Sequence, residues 1–98
     1  MKEHIFTLFL TNILAHTGYS KEELFTKTKN MDIVAAKQML IYLCVNRGIK
    51  KASIKRYMLK YGYNLHDVSI SYAMRSTQKY IKEDPDYKAI IDKLIQID

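Results

Sequence analysis

Residues 49–80 read IKKASIKRYMLKYGYNLHDVSISYAMRSTQKY. Ile54, Tyr57, Met58 and Tyr61 recur at helical spacing, while Lys55, Arg56 and Lys60 fall on other faces. The spacing predicts a short helix from Ser53 to Tyr61. Gly62 and Asn64 then mark a turn, and a second helix begins near His66 or Asp67 and runs to Glu83. That helix turns Ile70, Ala73, Met74, Thr77 and Ile81 inward and leaves Val68, Ser69, Ser71, Tyr72 and Arg75 outward. Two helices joined by a Gly-containing turn form a helix-turn-helix pattern.

The segments around this unit are helical as well. Ile5, Phe6, Phe9, Leu10, Ile13 and Leu14 make one apolar stripe on a helix from Lys2 to Thr17, and Gly18 stops it. Ser20 to Glu23 spells a capping box, opening a short helix that closes by Thr28. Asp32 is the expected N-cap of the next helix, Ile33 to Asn46. Its sequence, IVAAKQMLIYLCVN, is apolar almost all round, the mark of a central buried helix. Lys37 and Gln38 are its only early polar residues and are expected to share a small exposed window. Arg47-Gly48 closes it. Asp84-Pro85 breaks the chain and restarts it as a last helix to about Ile97, with Asp84 as N-cap and Pro85 at the first helical position. No strand alternation survives, so the fold class is all-α, a single domain of five or six helices.

The charge is unevenly spread. The net value is +6, yet residues 1–32 balance four lysines against four acids, and residues 67–98 carry five basic against six acidic groups. Between Ile33 and His66 there is no acid and there are seven cations: Lys37, Arg47, Lys50, Lys51, Lys55, Arg56 and Lys60. A concentrated basic patch suits a polyanion, because neutralising phosphates releases condensed counterions. One cysteine, Cys44, cannot form an internal disulfide and fits a reducing cytoplasm. The early apolar run is interrupted by Thr7, Thr11 and Asn12, so neither a signal peptide nor a membrane span is expected.

Three stretches in order, VAAKQMLIYL (34–43), SIKRYMLKYG (53–62) and HDVSISYAMR (66–75), resemble the C-terminal DNA-binding domain of the bacterial replication initiator DnaA. The resemblance covers about residues 8–95. It implies a helix-turn-helix docked on duplex DNA, with Lys37 matching a basic residue that enters the minor groove. Gln38 and Met39 match the two residues after it. His66, Asp67, Val68 and Ser69 fall on the family signature Asp-His-Thr-Thr, Ile70 and Ala73 on its core positions, and Arg75 on a basic position. The letters depart from the pattern: Asp-His has become His-Asp, Val68 and Ser69 replace the threonines, and Leu65 replaces an arginine. The turn is one residue longer than the family's Gly-Gly. Binding of the family's own box sequence therefore does not follow. No G-x-x-x-x-G-K-[ST] occurs, so the resemblance is to a free-standing DNA-binding piece, of a bacterium, phage or mobile element, without the ATPase.

His4, His16 and His66 are too scattered for a metal site, and His66, Asp67 and Ser69 lie within one turn, where a catalytic triad cannot form. No enzyme activity, cofactor or small-molecule substrate is expected. Tyr42, Tyr57, Tyr61, Tyr80 and Tyr87 sit at core spacing, whereas Tyr63 and Tyr72 are open between packing and DNA contact. The expected partner is double-stranded DNA, bound by a monomer. Lys50, Lys51, Lys55, Ser69 and Arg75 would meet phosphates, Lys37 the minor groove, and His66 and Val68 the base edges, with Asp67 among the DNA-binding residues by its signature position. The alternative is a helical protein-interaction module that has lost base reading.

Overall fold

A computed structural model describes residues 2–96. Among them there are six helices and no strand: α1 (Lys2–Thr17), α2 (Lys21–Phe25), α3 (Met31–Asn46), α4 (Lys51–Leu59), α5 (Asp67–Glu83) and α6 (Pro85–Ile95). Helix α3 is the axis of the fold and packs against each of the other five. Its Leu40, Leu43 and Cys44 are fully buried, joined by Met39 and Ile41. Phe6, Phe9, Leu10 and Ile13 of α1 close one side, and Ile70 and Ala73 of α5 close another. Burial pushes the Cys44 thiol up to about 12, which leaves it as packing rather than a nucleophile.

The helix ends follow local chemistry. The capping box forms as read: Glu23 N donates to Ser20 Oγ at 3.1 Å, and Ser20 N donates to Glu23 Oε1 at 2.9 Å. Helix α2 ends at Phe25, within the expected bound, with Thr26 extended. At α3 the cap is Asn30, not Asp32. Asn30 Oδ1 accepts from Asp32 N and Ile33 N, so Asp32 moves into the first turn, where its charge still suits the helix dipole. Asp84 caps α6 through the Asp86 and Tyr87 amides, with Pro85 starting the helix. The helix ends at Ile95 with Gln96 as its C-cap, and Ile97 lies outside the described residues.

Gly48 and Gly62 close α3 and α4 by the same device. Each has positive φ, +89° and +80°. Gly48 N donates to Val45 O and Ile49 N to Cys44 O; Gly62 N donates to Leu59 O and Tyr63 N to Met58 O. This paired closure satisfies the last carbonyls and throws the following side chain back on the helix. Ile49 is thereby buried, and Tyr63 is turned toward the core. The connection from α4 to α5 spans residues 60–66 and is anchored by Leu65, 2% exposed. The turn is therefore longer than the sequence pattern suggests, while α5 starts at Asp67 as expected.

The tyrosines assigned to packing are found there. Phe25 stacks on Tyr61 with ring centroids 4.9 Å apart, and Phe6 meets Tyr57 at 5.4 Å. Tyr80 and Tyr87 meet at the α5–α6 seam. Burial raises the Tyr87 hydroxyl to about 12, and it lies beside the buried hydroxyl of Thr77.

Since α3 has no solvent face to retreat to, a cavity at its centre cannot be relieved locally. Leu40→Ala is expected to cost about 2–5 kcal/mol in urea unfolding, against about 1 kcal/mol for Asn30→Ala at the cap. Equal losses at the two sites would contradict the central place given to α3.

Candidate functional site

The predicted contact residues fall in four settings. Lys50 and Lys51 stand at the start of α4, exposed and without an ion pair among the described residues. Lys50 is the N-cap and gives no side-chain hydrogen bond, so the first amides of α4 are uncapped beside two cations. His66 is likewise the N-cap of α5 with no side-chain bond. Helices α2, α3 and α6 all carry a side-chain cap. Among the helices whose N-caps are described, the two of the helix-turn-helix segment are the ones that lack a side-chain cap.

On α5, Val68, Tyr72, Arg75 and Lys79 are all exposed. Their spacing of four, three and four residues makes one stripe along the helix. Val68 is 69% exposed and Tyr72 61%, large values for apolar side chains. The Arg75 guanidinium lies over the Tyr72 ring at 5.3 Å, which braces both. Ser69 is half-buried at the edge of the stripe. Lys79 was not among the residues singled out from the sequence. Helical spacing from Arg75 was the signal that would have found it.

Lys55 and Asp67 pair with each other at 3.1 Å across the two helices. Both side chains are substantially exposed, so water and salt screen the pair. Lys60 pairs with Glu3 of α1. Arg56 lies over the Tyr57 ring and donates to Ser53 Oγ. Part of the basic patch is therefore engaged within the fold, because acids distant in sequence return to it in space.

Lys37 overturns the expectation of an exposed window on α3. It is 5% exposed. Its ammonium donates to the Thr26 carbonyl at 3.4 Å and sits over the Tyr63 ring, 4.2 Å from the centroid. The window closes because the α4–α5 turn folds Tyr63 onto it and α2 ends with Thr26 beside it. Burial holds the Lys37 pKa below the usual lysine value of 10.5. Lys37 and Gln38 line a groove of about 230 Å³ between α3 and α5, together with Val34, Leu65, Ser69 and Tyr72. Among predicted site residues this groove brings together Lys37, Val68 and Ser69, while Lys50, Lys51 and Arg75 do not line it.

Among the described residues no three His, Cys, Asp or Glu gather as metal ligands, and no helix is long and apolar enough to cross a membrane. Compared with protein-family models, with curated proteins and with solved structures, the chain matches none.

The Lys37 geometry has a pH consequence. A lysine with a depressed folded pKa binds fewer protons folded than unfolded over the interval between the two values. Stability contributed by this group therefore rises as pH increases toward 10.5. The native chain is expected to gain stability relative to Lys37→Met as pH is raised through that interval, followed by urea unfolding. Parallel pH profiles for the two would refute the burial of the charged form.

Proposed function

We propose that this chain is a double-stranded DNA-binding module, with α5 lying in the major groove. The stripe Val68, Tyr72, Arg75 and Lys79 on the exposed face of α5 carries the reading most directly. It offers apolar contact near the helix start and cations further along, a combination suited to base edges followed by phosphates. Uncapped amides at the starts of α4 and α5 favour anions at the same time. Lys50 and Lys51 supply further phosphate contacts, and His66, Val68 and Ser69 stand where α5 would meet the groove floor. The resemblance to the DnaA C-terminal domain supports the same orientation.

Two residues enter this scheme conditionally on rearrangement. Lys55 is held by Asp67, and a phosphate would compete with that carboxylate. Asp67 once released can accept from a cytosine amino group. Lys37 would reach a minor groove only after leaving the Tyr63 ring. The module would act as a monomer in the cytoplasm, at the nucleoid, in control of replication or transcription, without an ATPase or enzymatic step of its own. The second reading, a protein-interaction module, draws on one observation: Val68 and Tyr72 place two exposed apolar side chains one turn apart.

Salt separates the two readings. Duplex affinity should fall steeply from low to moderate salt, with a log–log slope of about −0.9 for each phosphate neutralised. Arg75→Ala and the pair Lys50→Ala, Lys51→Ala should weaken binding to all sequences and flatten the slope by about 1 per cation removed. Val68→Ala should instead change which sequences are preferred in a random duplex pool. A chain that binds no duplex at low salt would end the DNA reading.

A further inference from the structure

The groove between α3 and α5 holds a cation without a counter-charge. An ammonium has three hydrogens to donate, and Lys37 offers one of them to a carbonyl at 3.4 Å and faces a ring. No carboxylate pairs with it among the described residues, and burial alone accounts for its lowered pKa. A buried charge that has given up water for so little is incomplete as a structural element.

The walls beside it are of another character. Val34 and Ile41 of α3, Leu65 of the turn and Tyr72 of α5 present apolar surface to the same groove. Gln38 and Ser69 add one amide and one hydroxyl. A concave apolar space with a few convergent polar groups is the usual form of a small-molecule site. Its volume of about 230 Å³ is open to solvent-sized molecules and suits a ring with a short substituent. Inorganic anions would leave the apolar walls uncovered. A phosphate fixed on a stiff duplex cannot follow Lys37 to a position 5% exposed.

We propose that this groove binds a small organic carboxylate of aromatic or branched type, its carboxylate meeting Lys37 and Gln38 and its apolar body lying against Val34, Ile41, Leu65 and Tyr72. Ser69 donates to the second carboxylate oxygen. Because Val68, Ser69 and Tyr72 border the groove, a bound carboxylate would cover part of the α5 surface. It would therefore compete with a duplex, a consequence that rests on the DNA reading above; the binding itself does not.

The test is an NMR-detected titration of the full chain with benzoate and phenylacetate at constant ionic strength, with benzamide as the uncharged control. Both acids should shift amides of α3 and the start of α5 and saturate. Benzamide should bind about tenfold more weakly, since it lacks the charge-assisted bond. Lys37→Met should abolish the preference for acid over amide; Lys37→Gln serves the same purpose if the methionine variant does not fold. Equal binding of acid and amide, absence of shifts in the groove, or a preference that survives removal of the lysine would each overturn the proposal. Benzoate should also displace a bound duplex from the native chain but not from the variant. Duplex binding that benzoate leaves untouched overturns the shared surface. Failure to bind any duplex removes the DNA reading, and the titration alone then decides the carboxylate site.

Discussion

Helix α3 has no face to give to water over most of its length, and the other helices are arranged by that constraint. Its two ends reach the surface, and there local closures satisfy the terminal backbone groups. Asn30 does this at the start, and the Gly48 closure at the end. The other five helices pack around α3, and the end of α2 meets it at Lys37. Leu40 and Leu43 are fully buried and α3 meets all five other helices, so the position of each surrounding helix depends on the others. The helix-turn-helix segment is held in this way: α4 rests on α1 and α3, while α5 rests on α3 and α6. Little packing joins α4 to α5 directly, and the exposed Lys55–Asp67 pair is a weak tie.

Charge follows a different logic from packing. The acid-free stretch from Ile33 to His66 looks uniformly basic along the chain. Folding divides it. Glu3 returns to Lys60 and Asp67 to Lys55, and Lys37 is drawn inside beneath Tyr63. Lys50 and Lys51 remain on the surface, and Arg75 and Lys79 join the exposed set from outside the stretch. Local charge density in the sequence is thus a poor guide to the field a partner meets. What counts is which cations keep their water and which spend their charge inside the fold.

Most of the helical layout was legible in the sequence because it rests on short-range chemistry. The Ser20 capping box, the Asp84-Pro85 restart and the α5 start at Asp67 each involve residues within a turn of one another. Where two neighbouring residues competed for a role, spacing alone misled. Asn30 took the cap that Asp32 was expected to fill, because its oxygen reaches the amides two and three residues on while Asp32 is already helical. The candidate site was less legible. The outward face of α5 followed from periodicity, and Tyr72 and Arg75 were found on it. The fate of Lys37 was hidden, since Thr26 and Tyr63 lie 11 and 26 positions away along the chain.

Sequence by itself determined the all-α class, the six segments, the central place of α3 and the exposure of Val68, Tyr72 and Arg75 on α5, because helical period and capping are properties of neighbouring residues. Tertiary structure alone decided the rest. It put Lys37 under an aromatic ring, set Lys55 against Asp67, and opened a groove between α3 and α5. Each of these joins residues that the chain keeps apart, and such contacts exist only when several helices have already packed. The physical reason is that a lysine's surroundings, and hence its charge and reach, are set by whatever the fold brings against it.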